Sequence, residues 1–105
     1  MLLTVVETEY FAKLWREFWS EDERGEFAAY LAANPESGDV IQGSGGCRKV
    51  RWSRAGTGKS SGVRVIYFAR NAVGELVLLT IYAKAKFDNI PANILKQLKK
   101  EIEHE

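Results

Sequence analysis

Residues 63–82 read VRVIYFARNAVGELVLLTIY and decide the fold. Val63 to Arg70 is rich in β-branched and aromatic residues, and Glu75 to Tyr82 is nearly all apolar, so each run predicts a β-strand. Asn71 to Gly74 is short enough to join them as a hairpin. Because the second run is apolar at almost every position, we expect it to lie near the centre of the sheet.

Two further strand-like runs extend this hairpin. Cys47 to Ser53 alternates long basic side chains with apolar ones, and Met1 to Glu7 is short and β-branched. Both patterns favour strands over helices. A glycine-rich stretch, Glu36 to Gly46, is predicted as a connection.

Three helices are predicted around the strands. Thr8 can cap the first, whose aromatic residues fall at helical spacing. Ser20 and Glu23 have the spacing of a capping box that opens the second, and Asn34-Pro35 ends it. Pro91 opens the last helix, which runs to about Glu103. The first helix carries Phe11, Trp15, Phe18 and Trp19, more than one small helix buries, so core and an exposed protein contact both stay open for them.

The predicted order is therefore β-α-α-β-β-β-α in a single domain, residues 1–105. Two helices followed by an antiparallel meander indicate an α+β domain with an antiparallel-dominated sheet packed by the N-terminal helices. We expect the helices on one sheet face and the basic side chains on the opposite face.

The charge is strongly asymmetric along the chain. The formal net charge of +1 combines 3 basic and 9 acidic residues up to Gly46 with 12 basic and 5 acidic residues from Cys47 onward. The segment between Asp39 and Glu75 holds seven cations and no carboxylate: Arg48, Lys49, Arg51, Arg54, Lys59, Arg64 and Arg70. A solvated surface usually mixes signs, so this segment indicates an anionic ligand, RNA or another polyphosphate.

The strand pattern selects a few of these cations. Lys49 and Arg51 are two residues apart and project from the same sheet face. Arg64 is the charged member of its face on the next strand. Lys84 and Lys86 follow the last strand. We expect Arg48, Arg54, Lys59, Lys86 and Arg70 to contribute to RNA binding.

Composition excludes several kinds of chemistry. Cys47 is the only cysteine, and the single histidine is His104, beside the C-terminus. A Ser-His or Cys-His nucleophile, a multi-cysteine metal site and a catalytic metal are therefore not expected, and no cofactor is required. We expect a site without carboxylates. The sequence contains no apolar stretch of membrane-spanning length, and we expect a cytoplasmic protein.

An ordered set of motifs resembles the RelE/HigB superfamily of bacterial type II toxins, most closely its HigB-like branch. Each motif is weak alone, but the order and spacing of the set are fairly specific. The motifs are GDVIQGSGG (residues 38–46), RKVR (48–51), GVRVIYF (62–68) and LTIYAK (79–84).

The resemblance implies a RelE-like fold and a small endoribonuclease that cleaves mRNA in the ribosomal A site. It also implies a cognate antitoxin, commonly a helix-turn-helix protein, as partner. In this family the basic pair after the glycine run corresponds to Lys49 and Arg51, and the strand arginine to Arg64. Lys84 matches a basic residue after the last strand, and Tyr82 is the candidate for the family's tyrosine.

A mechanism follows for that reaction. The 2′-hydroxyl of RNA attacks the adjacent phosphate, Arg64 and Arg51 clamp it, and Lys84 or Lys49 transfers a proton. Tyr82 stacks on a base or relays a proton. Two alternatives stay open: a gyrase-targeting toxin of the ParE-like group, and a non-catalytic RNA- or ribosome-binding module.

Overall fold

A computed structural model describes residues 3–52, 62–83 and 90–103. These residues form five strands and three α-helices, with 3-10 turns at Trp15–Glu17 and Asn71–Val73. The order is β1 (Thr4–Glu7), α1 (Glu9–Leu14), α2 (Glu21–Ala33), β2 (Asp39–Val40), β3 (Arg48–Trp52), β4 (Val63–Arg70), β5 (Glu75–Ala83) and α3 (Ala92–Glu103). The predicted α+β class is confirmed.

The sheet formed by the described residues has the strand order β1-β5-β4-β3-β2. β1 runs parallel to β5, and every other neighbouring pair is antiparallel. β5 therefore lies between β1 and β4, as its apolar sequence predicts. β2 is an addition, because the sequence predicts only a connection between Glu36 and Gly46.

Local signals fix the ends of the first two helices. The Thr8 hydroxyl accepts a hydrogen bond from the Phe11 amide at 3.2 Å and donates to the Leu79 carbonyl at 2.8 Å, which ties α1 to β5. The Ser20 amide donates to Glu23 at 2.8 Å, and the Glu23 amide donates to the Ser20 hydroxyl at 3.2 Å. This reciprocal capping box satisfies two amides that the first turn of α2 leaves without partners.

One hydrophobic core lies between α1, α2 and the first face of the sheet. Phe11, Trp15 and Trp19 are buried in it, and Phe18 packs partly buried against it. The aromatic residues of the first helix therefore belong to the core rather than to an exposed contact. The strand side chains of this core are Val50, Val63, Val65, Tyr67, Leu76, Leu78 and Ile81.

A second core lies on the opposite face, beneath α3. Leu95 of α3 packs with Cys47, which precedes β3, and with strand residues that alternate with those of the first core, namely Ile66, Phe68, Val77, Leu79 and Tyr82. The expectation that all helices share one face is therefore wrong. Since α1 and α2 already fill the first face, the apolar side of α3 can be buried only against the second.

Candidate functional site

A row of three side chains crosses the second face at one end of the sheet. Arg51 of β3 lies directly opposite Arg64 of β4, and Arg64 lies directly opposite Tyr82 of β5. Directly opposed residues of antiparallel strands project from the same face, with Cβ atoms about 4.5–5.5 Å apart. We call these three residues the cross-strand row. For Arg51 and Arg64, this register agrees with the expectation that basic side chains share one sheet face.

Lys49 adds a third cation beside the row. It lies opposite Ile66, two residues before Arg51, and so projects from the same face. Opposed like charges destabilise a sheet. The Arg51–Arg64 pair is therefore an arrangement that an anion between the two guanidinium groups would stabilise.

Arg64 is the half-buried cation at the centre of the row. Its Nη1 atom is buried and has no hydrogen-bond partner among the residues that the structure describes. A buried donor left without an acceptor costs about 1–3 kcal/mol. A phosphate oxygen is the acceptor that a guanidinium binds best, because two parallel N–H groups can engage it.

Tyr82 closes the row on the β5 side and is only 5% exposed. Burial raises the pKa of the Tyr82 phenol above its ordinary value, and the positive charge of Arg64 acts in the opposite direction. The net increase keeps the phenol protonated at neutral pH, so Tyr82 can donate a hydrogen bond or a proton.

A β-bulge determines which β5 residue joins the row. Ile66 pairs with Thr80, whereas the next residue, Tyr67, pairs with Leu78, so Leu79 is an extra residue in β5. A bulge shifts the alternation of faces that follows it. Strict alternation from Val77 would direct Ile81 to this face, and the bulge directs Tyr82 there instead.

Two predicted RNA-binding residues lie away from the row. Arg48 projects from the first face, where its Nη1 donates to the carbonyl oxygens of Gly38 at 2.7 Å and Glu36 at 3.4 Å. Arg70 lies at the far end of β4, with its Nη1 3.6 Å from Glu75 Oε1. The candidates Arg54, Lys59, Lys84 and Lys86 lie outside the described residues.

The structure brings a carboxylate to the site that sequence reasoning missed. Asp39 of β2 lies directly opposite Lys49 of β3 and therefore projects from the same face. The expectation of a site without carboxylates is wrong. It followed from the absence of carboxylates between Asp39 and Glu75 along the chain, whereas pairing of β2 with β3 places Asp39 at the edge of the sheet. The β-branched pair Val40-Ile41 after Asp39 was the available signal for this strand.

Two further properties concern the described residues alone. Within them, no group of three His, Cys, Asp or Glu side chains is arranged to hold a metal ion. Nor does any helix in the described ranges have the length and apolar character needed to cross a membrane.

Solved structures similar to this chain share one fold, while no protein-family model matches it. A mutant of the E. coli toxin RelE in the free state has a TM-score of 0.66 at 16% identity, over 94% of this chain and 98% of its own. The intact E. coli RelBE toxin–antitoxin complex gives 0.60 at 18% identity, over 77% of this chain and 95% of its own.

An archaeal structure agrees with these two. The RelE–RelB complex from Pyrococcus horikoshii has a TM-score of 0.53 at 23% identity, covering 83% of this chain and all of the matched one. At these identities the likeness establishes the fold. The chain therefore has the RelE-like α+β fold, as the motif resemblance implies.

Proposed function

We propose that this protein is the toxin of a bacterial type II toxin–antitoxin system, in the HigB-like branch of the RelE/HigB superfamily. Its activity is ribosome-dependent cleavage of mRNA in the cytoplasm. The observation that carries the proposal is Arg64, whose buried Nη1 donor has no hydrogen-bond partner among the described residues and which lies directly opposite Arg51, two pairs along the strands from Lys49. The RelE-like fold and the ordered motifs support the same assignment.

The site suits a phosphoryl-transfer reaction at RNA. The 2′-hydroxyl attacks the neighbouring phosphorus, and negative charge grows on the phosphate oxygens in the transition state. Arg64 and Arg51 stabilise that charge, and cations fixed in advance often supply the largest share of such catalysis. In this proposal Lys49 and Lys84 contribute charge stabilisation and proton transfer, and Tyr82 acts as a hydrogen-bond donor.

Dependence on the ribosome fits a site that has few side chains suited to acid–base catalysis. Placing the reacting groups in line can by itself lower a barrier by about 7–11 kcal/mol. The ribosomal A site would hold the mRNA in such a geometry. A cognate antitoxin is the second expected partner, since two similar structures are RelE bound to RelB.

Arg64→Ala tests the proposal directly. Purified protein is added to ribosomes paused on a defined mRNA, and new 5′ ends are mapped by primer extension. We expect cleavage by the wild type and a loss of at least about 100-fold in Arg64→Ala, the scale of losing one charge-stabilising donor. Arg16→Ala, which removes an exposed arginine of the helical layer, is the matched control and should cleave normally.

The same experiment separates the alternatives. Full cleavage by a folded Arg64→Ala protein would contradict the assignment. Ribosome binding by the wild type without new 5′ ends would favour a non-catalytic binding module. After induction in cells, an immediate fall in DNA synthesis with intact mRNA would favour a gyrase target.

A further inference from the structure

β2 is a two-residue strand whose flanking residues are held by hydrogen bonds to the neighbouring strands and the loop before β3. The Tyr67 hydroxyl accepts from the Gly38 amide at 2.9 Å and donates to the Pro35 carbonyl at 2.8 Å. Arg48 donates to the Gly38 carbonyl at 2.7 Å, and the Ile41 amide donates to the Cys47 carbonyl at 2.9 Å. The backbone is thus held immediately before and immediately after the strand.

Core packing accounts for the residues that flank the strand, since Gly38 contacts the buried Tyr67 and Ile41 packs against the second core, but it does not account for the strand's own side chains. Val40 projects from the first face, yet its side chain is 58% exposed. The other residue of the strand is Asp39, opposite Lys49 on the face of the cross-strand row. The anchored backbone therefore fixes the position of the Asp39 carboxylate on this face.

The chemistry of the site gives that carboxylate a distinct role. Lysine ammonium and arginine guanidinium groups carry donors only, and a protonated phenol must lose its own proton before it can take another. A carboxylate is an acceptor and can take a proton without first losing one. Among the residues that the structure places at this end of the second face, only Asp39 offers such an acceptor.

We propose that Asp39 is the general base that removes the proton from the attacking 2′-hydroxyl. The role rests on the proposed ribonuclease function. As the O2′–H proton moves to Asp39, the O2′–P bond forms and the P–O5′ bond breaks. The leaving O5′ takes a proton from water, and Asp39 later returns its proton to water. The products are a 2′,3′-cyclic phosphate and a 5′-hydroxyl end, with no redox change.

The test compares Asp39→Asn and Asp39→Ala with wild type in single-turnover cleavage on paused ribosomes. Asp39→Asn should slow cleavage by about 10²-fold or more, the usual contribution of a general base. Its ribosome affinity should not change, since the phosphate clamp is intact. Glu36→Gln, which neutralises an exposed carboxylate three residues earlier, should leave the rate unchanged.

Added formate distinguishes a base from a structural residue. In Asp39→Ala the small carboxylate can occupy the vacated space, so cleavage should recover with formate concentration. In Asp39→Asn the amide fills the space, and no recovery is expected. A rate in Asp39→Asn equal to wild type would overturn the proposal, as would a slow Asp39→Ala protein that formate does not accelerate.

Folding and the underlying function are checked separately. Circular dichroism and thermal melting of each variant show whether a lost rate reflects lost structure, and Asp39→Glu should retain part of the activity because it keeps the carboxylate. A wild-type protein that never cleaves would reject the ribonuclease assignment itself. If the wild type cleaves and the Asp39 variants cleave equally fast, only the assignment of Asp39 as the general base is rejected.

Discussion

Gly38 and Tyr67 show how a single contact can fix the position of the site. A Cβ atom on residue 38 would lie 2.8 Å from the Tyr67 hydroxyl oxygen and 3.0 Å from the Lys49 carbonyl oxygen. Real Cβ atoms essentially never come as close as 2.8 Å, and 3.0 Å is already very tight, so glycine at this position lets the chain approach the sheet closely enough for β2 to pair. The glycine-rich appearance of this segment therefore reflects close packing as well as a turn.

Tyr67→Phe should destabilise the protein by about 1–3 kcal/mol, because the variant leaves the Gly38 amide and the Pro35 carbonyl without their buried partner. Urea denaturation followed by tryptophan fluorescence measures the change. The matched control is Tyr10→Phe, which removes the same hydroxyl from a side chain that is 54% exposed. Equal stability of Tyr67→Phe and wild type would show that these hydrogen bonds contribute nothing net.

At the scale of elements, α3 and β5 decide which part of the second face is open. Leu95 of α3 belongs to one buried cluster with Phe68, Val77 and Tyr82, while Arg51 and Arg64 lie outside that cluster. The bulge at Leu79 then selects Tyr82 over Ile81 for the row. The position of α3 and the extra residue Leu79 in β5 thus determine which side chains of the second face lie beside Arg64.

Leu95→Ala should destabilise the protein by about 2–5 kcal/mol, the usual loss when a buried leucine is truncated. Leu95 is 1% exposed and is the buried residue of α3. Ile94→Ala, at the adjacent and 47% exposed position, is the control and should change the free energy of unfolding little. Comparable losses in the two variants would show that α3 does not dock through Leu95.

At the scale of the whole molecule, the two charge-rich halves of the chain occupy different layers. The acidic first half supplies α1 and α2 on the first face, and the basic second half supplies Lys49, Arg51 and Arg64 on the second. Arg48 and Arg70 depart from this division, since one anchors a loop and the other faces Glu75. Asp39 is also an exception, because it belongs to the acidic first half but lies on the second face.

The free energy of unfolding should fall at alkaline pH because the Cys47 thiol is buried in the second core. Burial raises the pKa of the Cys47 thiol above its ordinary value of 9.0, outweighing the hydrogen bond with Ser44 and the charge of Lys99, which lower it. Above about pH 9 the unfolded chain loses the thiol proton while the folded chain keeps it, so the free energy of unfolding decreases as pH rises. Below that pH this contribution is constant.

Urea denaturation across this range checks the prediction. Cys47→Ala removes the titrating group and should show a smaller decrease with pH than wild type. The buried Tyr82 phenol, whose pKa is also raised, adds a similar decrease above about pH 10 in both proteins. An identical pH dependence in wild type and Cys47→Ala would contradict the assignment to the thiol.

Much of the fold could be predicted because its signals are local. The apolar run of β5, the capping box of α2 and the proline before α3 act within a few residues, and the predicted β4, Val63–Arg70, coincides with the observed strand. The second-face assignment of Lys49 and Arg51 was also accessible, because alternation along a strand is a local property. Their proposed roles in RNA cleavage stay predictions.

The remaining features depend on contacts between distant residues. The sequence by itself determined the elements and the cationic character of their second half, through periodicity and composition. Only the tertiary structure decided that α3 covers the second face, that Leu79 shifts Tyr82 beside Arg64, and that Asp39 lies opposite Lys49. The reason is that each of these depends on which surfaces are already filled and on strand register, which no local pattern of side chains specifies.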